Sequence, residues 1–189
     1  MYFIVRNGKY TDFTDKTFRQ YLDNNSSEFL ANLDDWKVHL TTVFPEVRLK
    51  SYIEVRGADG GPWSRVCALP AFWTGILYDE EILNTIWDIT RHWKFSDIEN
   101  FYNDVRTNGL NSKNPDGQTL NKFIEKILKY SKMGLSKRNI FKGNDNESIF
   151  LNPLIEILKA GESPAKYWEN QYFNHWSKNI DMIYETNYF

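Results

Sequence analysis

The chain has 189 residues, 41% hydrophobic and 16% aromatic, which allows one ordinary domain with a real core and excludes a disordered segment. Its formal charge of −2 indicates no general nucleic-acid affinity, and no apolar run is long enough to span a bilayer, so neither nucleic acid nor membrane is an expected partner. A single cysteine, Cys67, excludes an internal disulfide and suits a reducing compartment; residues 1–6 lack the basic-then-apolar order of a signal peptide, so the expected location is cytoplasmic.

The first residues predict a β-hairpin. Tyr2 to Val5 and Lys9 to Thr11 flank Asn7-Gly8, the dipeptide that favours a type I′ turn. A lone hairpin is marginal in water, and few other strands follow. The expectation is an apolar sheet edge or face near residues 2–5 that needs covering by something larger than this chain. Asp15 or Thr17 is placed to cap a short helix through Leu22, and residues 23–27 read as a polar break. Asp34 is the expected cap of a helix carrying Trp36, Leu40 and Val43, which stops before Pro45.

Residues 47–56 alternate strictly and predict one strand. Val47, Leu49, Ser51, Ile53 and Val55 fall on one face; Arg48, Lys50, Tyr52, Glu54 and Arg56 fall on the other. A glycine-rich turn, Gly57-Ala58-Asp59-Gly60-Gly61-Pro62, follows. From Cys67 onward the pattern is helical. Residues 68–78 are nearly apolar all round, as in a buried helix. The 3.6-residue period then runs through Ile82, Leu83, Ile86, Trp87 and Ile89, through Leu120, Phe123, Ile124, Ile127 and Leu128, and through Leu151, Leu154, Ile155 and Leu158. Gly161 stops the last of these, Ser163-Pro164 starts another, and residues 108–117 form a polar linker. The fold class is α+β, a single domain over 1–189 with a sheet-rich part (1–66) and a helical part (67–189).

Few residues carry chemistry on spacing alone. Glu54 and Arg56 share a strand face roughly 7 Å apart. A carboxylate there suits magnesium and a guanidinium suits a phosphoryl group. Taken alone, the spacing fits better a solvated strand face with a cross-strand ion pair. The glycine run has neither Walker A nor GxGxxG spacing and reads as a tight turn. His39, His92 and His175 lack metal-ligand spacing, and Cys67 at the start of an apolar helix is expected to be buried. The six basic residues from Lys122 to Arg138 fit the solvated face of an amphipathic helix.

The stretch HLTTVFPEVRLKSYIEVRGADGGPWSRVCALPAFWTGILYDEE closely resembles glutamate–cysteine ligases of the plant and proteobacterial type. The opening MYFIVRNGKYTDFTDKTFRQYL and the closing SPAKYWENQYFNHWSKNIDMIYE resemble the same family, and Tyr-Ile-Glu-Val-Arg is similar to its distant enterobacterial branch. The resemblance runs along essentially the whole chain but takes in only the later part of a family member, somewhat under half.

The resemblance implies part of a glutamine-synthetase-like curved antiparallel sheet, built here from the N-terminal hairpin and strand 47–56, with a helical C-terminal half. It implies ATP-dependent ligation of the L-glutamate γ-carboxylate to the amine of L-cysteine, the first step of glutathione synthesis, through a γ-glutamyl phosphate. Charge collects on the transferring phosphoryl oxygens, so Mg2+ and arginines are the expected catalytic parts. By the resemblance, Glu54 is a magnesium ligand and Arg56 the arginine on the transferring phosphoryl group. Tyr2 lies near the amino-acid pocket, while Arg48 and Trp63 lie in the matching run as candidate substrate-binding residues.

The departures from the family pattern carry expectations too. Its other metal-binding carboxylates belong to an earlier half that has no counterpart here. Plant members have a redox-active cysteine pair where this chain has Phe13 and a shortened, cysteine-free segment at 23–33. Cys67 matches a plant cysteine whose partner belongs to the earlier half, so neither plant disulfide is expected. The chain thus reads as one component of a ligase working with a separately encoded N-terminal half. The alternatives are a non-catalytic remnant or binding module, and another amine ligase of the superfamily.

Overall fold

The computed structural model describes residues 1–23 and 29–186. The polar break expected at 23–27, and the first part of the shortened segment 23–33, lie outside them beyond Asp23. The chain forms two compact units, Met1–Ala58 and Asp59–Phe189. The sequence-based division at residue 66 falls instead within a helix of the second unit.

In the first unit, β1 (Phe3–Arg6) and β2 (Lys9–Asp12) pair antiparallel, with Ile4 opposite Thr11 and Arg6 opposite Lys9. Asn7 and Gly8 have φ of 50° and 74°, the positive pair that a type I′ turn requires. Helix α1 (Phe18–Asp23) opens on a reciprocal cap. The Gln20 amide donates to Thr17 Oγ1 at 3.2 Å, and the Thr17 amide donates to Gln20 Oε1 at 2.8 Å. The hairpin therefore finds its own neighbours: Ile4 packs with Phe13 and Tyr21 in a small buried cluster, flanked by Met1, Phe18, Phe29 and Ala31. The expected bare face at residues 2–5 is corrected accordingly. Ile4 is fully buried, Phe3 and Val5 are half-buried, and of these four side chains only that of Tyr2 is exposed.

Helix α2 (Leu33–Thr41) is capped by Asn32, not by Asp34. A reciprocal cap needs an acceptor three residues into the helix. Asn32 and Asp35 provide it, each donating an amide to the other's side chain at 2.9 Å. Asp34 is left on the surface of the first turn, paired with Lys37.

The single strand expected over 47–56 is also corrected. It folds back on itself as β3 (Val47–Leu49) and β4 (Ile53–Val55), with Val47 opposite Val55, Arg48 opposite Glu54 and Leu49 opposite Ile53. The Lys50 amide donates to the Tyr52 carbonyl across the bend at 2.8 Å, and the Arg56 amide continues the register to Glu46 at 2.8 Å. Period-2 patterning specifies faces, not strand length. A three-residue bend centred on Ser51 pairs even-numbered positions with even and odd with odd, so the two-faced pattern survives the fold-back.

The second unit is mostly helical. Helix α3 (Trp63–Leu77) starts four residues before Cys67 and carries Pro70 inside it; α4 is Glu80–Thr90, capped by Asp79. Helix α5 (Phe95–Asn108) has no counterpart among the predicted elements, although Phe95, Ile98, Phe101, Tyr102 and Val105 carry the helical period there. Helix α6 (Leu120–Arg138) packs against α3. A short β5–β6 hairpin (Phe141–Lys142, Asp145–Asn146) and a 3-10 turn (Glu147–Leu151) lead to α7 (Asn152–Ala160). Helix α8 (Pro164–Asn174) follows, with Ser163 as cap and Pro164 first, and α9 is Met182–Thr186. Leu128, Leu135 and Leu151 form the buried core of this unit, with Ala71, Phe72, Leu154 and Ile155 against it. Where α3 and α6 cross, a Cβ on Gly75 would strike the Ser131 carbonyl and one on Gly134 would strike the Gly75 carbonyl. Ser131 Oγ, fully buried, donates to the Phe72 carbonyl at 2.9 Å across the same crossing.

The architecture is α+β, with small antiparallel ladders followed by a helical C-terminal half. Among the described residues the strands form three two-stranded ladders.

Candidate functional site

The β3–β4 register brings three of the sequence-predicted residues together. Arg48 and Glu54 face each other across the ladder, and Arg56 lies two residues along on the same face. The Arg48 Nε and Nη2 atoms both lie 2.8 Å from Glu54 Oε2, and Arg56 Nη1 lies 3.3 Å from Oε1. Glu54 is thus clamped by a guanidinium on each oxygen. The hydrogen bond from Arg48 holds its carboxyl below the ordinary range despite partial desolvation. Its side chain stays 30% exposed, so the cluster is open to solvent on one side.

The two arginines are not equivalent. Arg48 is the tighter partner, with two nitrogens on one oxygen and 14% side-chain exposure. Arg56 makes the longer contact and lies over the Phe44 ring, 5.1 Å from its centre. Arg56 is therefore held less tightly to Glu54 than Arg48 is. A Cβ on Gly57 would overlap the Glu46 carboxylate, so a protein side chain occupies the close approach that the first glycine of the turn permits.

Glu54 does not meet the description of a ready magnesium site. Both its oxygens bear guanidinium groups, and among the described residues no group of three or more His, Cys, Asp or Glu is placed to hold a metal. Magnesium takes six oxygen ligands in near-octahedral array, and one arginine-clamped carboxylate does not supply them. The described residues of this chain alone do not fit the ion.

The remaining candidates lie elsewhere. Tyr2 is exposed beside β1, and no described contact brings it to Glu54. Trp63 is the first residue of α3 in the second unit and is 76% exposed. Cys67 is half-buried and has no disulfide partner. His39 stacks on Phe18, with ring centres 5.2 Å apart, and burial pushes its pKa down; His92 bonds Asp116 at 2.8 Å.

Two features escaped the sequence reading. The first is a buried polar lock in the first unit. Arg6 donates to both oxygens of Asp35 at 2.5 and 2.6 Å, and the Tyr21 hydroxyl donates to Asp35 at 3.0 Å. Asp35 is 2% exposed. The Arg6 bonds hold its carboxyl well below the usual range, and burial only partly opposes them. The second is a cavity of about 410 Å³ in the second unit, where Arg65, Glu156 and Glu162 meet Tyr167 and Trp168. Neither had a local signal, because the partners come from distant segments.

The β3–β4 cluster lies within a chain that matches the model of Glutamate-cysteine ligase family 2 (GCS2) over residues 2–185. The chain belongs to that family. Its similar proteins include the chloroplastic glutamate–cysteine ligases of Brassica juncea and Medicago truncatula, each 44% identical over 188 residues, and that of Arabidopsis thaliana, 43% identical. Each match takes in 98% of this chain but only 35% or 36% of the relative, so the chain spans little more than a third of those proteins.

Proposed function

We propose that this chain is one component of an ATP-dependent glutamate–cysteine ligase and joins the L-glutamate γ-carboxylate to the L-cysteine amine when the rest of the ligase domain is present. The reading is supported above all by the match along residues 2–185, and the clustering of Arg48, Glu54 and Arg56 is compatible with it. In this reading ATP phosphorylates the γ-carboxylate, and the amine displaces phosphate from the acyl phosphate. Arg56 turns from Glu54 toward the transferring phosphoryl oxygens, where its planar fork meets charge that grows in the transition state. Arg48 holds Glu54 and so positions the cluster.

Mg2+ would supply charge neutralisation on the phosphates; Glu54 would be one of its oxygen ligands by the resemblance, and the further ligands that an octahedral ion needs would come from the substrate phosphates and from the rest of the ligase domain. Tyr2 and Trp63 are proposed as amino-acid contacts on the strength of the resemblance alone. The cytoplasm is the proposed location, whereas the plant relatives are chloroplastic by name. Among the described residues no helix is long and apolar enough to cross a membrane.

The test is an assay for γ-glutamylcysteine with ATP, glutamate and cysteine. It is run on the chain alone and with the remaining part of the Brassica juncea ligase supplied as a separate polypeptide. Product in the mixture and none from the chain alone is expected. Binding of the two parts without product under any substrate condition would favour the non-catalytic remnant.

A further inference from the structure

The first unit leaves a continuous apolar face in solvent. Helix α2 presents Leu33, Trp36 and Leu40 at helical spacing, and Val43 follows just beyond it; all four are exposed. The β3–β4 hairpin turns Val47, Leu49, Ile53 and Val55 away from the Arg48–Glu54 face, with Leu49 at 78% and Ile53 at 56% exposure. The two surfaces join: Leu40, Val43, Pro45, Val47 and Leu49 line one groove of about 460 Å³. Lys37, Arg48 and Lys50 also line it, and no carboxylate is among its lining residues.

This pattern is costly for a protein in water. A two-stranded ladder that pairs with no third strand among the described residues and has one apolar face bare is a template for non-specific association. The alternation that makes the face apolar is strict, the pattern of a ladder with one covered face and one polar face, and here the apolar face is the one left bare. The length comparison indicates what covers it. Most of each relative, all but 35% or 36%, has no counterpart in this chain.

We propose that the α2/β3–β4 apolar face is the docking surface for that remaining part of the ligase domain, received as an apolar polypeptide surface. The inference rests on the ligase reading for the identity of the partner and adds where it binds. Docking there leaves Glu54 and Arg56 on the opposite face of the same two strands, with Arg48 at the rim between the groove and the cluster. The partner can then complete the site only by reaching round an edge of the hairpin or by adding strands to it.

The experiment uses the full 189-residue chain and, as the probe, the portion of the Brassica juncea ligase lying outside its match to this chain. A parallel probe comes from the Arabidopsis thaliana ligase. Affinity is measured by calorimetry and mass by light scattering. Circular dichroism of each variant alone checks that the fold is intact. A one-to-one complex is expected, and Leu49→Glu and Ile53→Glu should each weaken it at least tenfold. Phe95→Glu, a comparable change at an exposed apolar residue of the second unit, should leave it unchanged.

The proposal is overturned by the absence of a complex with either probe or by affinities indifferent to Leu49→Glu and Ile53→Glu. It is also overturned by a self-dimer that Leu49→Glu dissolves, which gives the face to a second copy. Product formation separates this claim from the ligase reading. A complex that depends on Leu49 yet makes no γ-glutamylcysteine overturns the ligase reading alone, while undiminished product with Leu49→Glu overturns the docking surface alone.

Discussion

Glu54 keeps two guanidinium groups together on one strand face, and the bond to Arg48 is the stronger half of that arrangement. Substituting Glu54→Gln keeps the shape and removes the anion that Arg48 and Arg56 share. In the complemented ligase we expect turnover to fall by roughly tenfold or more, with an altered magnesium dependence; a magnesium titration that superimposes on the wild type would rule out the metal role. Arg56→Lys keeps the charge and loses the fork, so kcat should fall by about tenfold with a smaller change in KM for ATP. A change confined to KM would make Arg56 a ground-state nucleotide contact.

Asp35 makes the other residue-scale prediction. Its carboxyl is depressed by Arg6, so the unfolded chain binds the proton more readily than the folded one. The stabilisation is therefore complete above the ordinary carboxylate value of 3.8 and is lost as pH falls from there through the lower folded value. The protection of the β1 amides against hydrogen exchange, taken relative to the intrinsic rate at each pH, should fall over that acid window in the wild type. Arg6→Ala should lower that protection wherever Asp35 is ionised, because a nearly dehydrated carboxylate loses its cation, a change of about 3–5 kcal/mol, and the difference from the wild type should shrink at the acid end. At about 0.05–0.15 kcal/mol per residue the first unit, Met1–Ala58, holds about 3–9 kcal/mol, so the loss removes a large share of its stability.

At the scale of elements, the α3–α6 crossing is the most sterically constrained contact. Gly75 and Gly134 let the two backbones meet, and Ser131 bridges them with a hydrogen bond. Gly134→Ala places a methyl group against the Gly75 backbone, which cannot swing aside as a side chain could. Overpacking of this kind costs about 1–3 kcal/mol, and each kcal/mol lowers the midpoint of a protein this size by about 2–4 °C. A thermal scan showing no loss would mean that α3 and α6 cross elsewhere. The β3–β4 hairpin teaches a different lesson. Its alternation was legible from residue 47 to residue 56, but the same letters describe one long strand or two short ones. The bend at Ser51 carries no glycine or proline, so nothing local announced it.

For the whole molecule, the expected outcome is that the isolated chain makes no γ-glutamylcysteine and binds ATP weakly. The cluster offers one clamped carboxylate, and among the described residues no metal-holding group of three is formed. The uncovered α2/β3–β4 face should also bind a hydrophobic dye, and Leu49→Glu should reduce that signal. Product from the purified chain alone would show that the catalytic groups have been misassigned.

The amino-acid sequence by itself determined the period of α4, α6 and α7, the type I′ turn at Asn7-Gly8, the Ser163 cap, the two faces of residues 47–56 and the family resemblance, while for the cap of α1 it offered Asp15 or Thr17 and the structure chose Thr17. These are short-range or periodic signals, carried by neighbours within a few positions or by a long motif. Only the tertiary structure decided which partners those faces meet. Folding at Ser51 turned an expected metal ligand into a carboxylate held by Arg48 and Arg56. Packing of Ile4 against Phe13 and Tyr21 moved the bare apolar surface from the first hairpin to α2 and the second. The Arg6–Asp35 lock joins residues 29 apart in the chain. Such pairings depend on how the chain is folded back, and local patterning specifies which side a residue faces without specifying what comes to lie there.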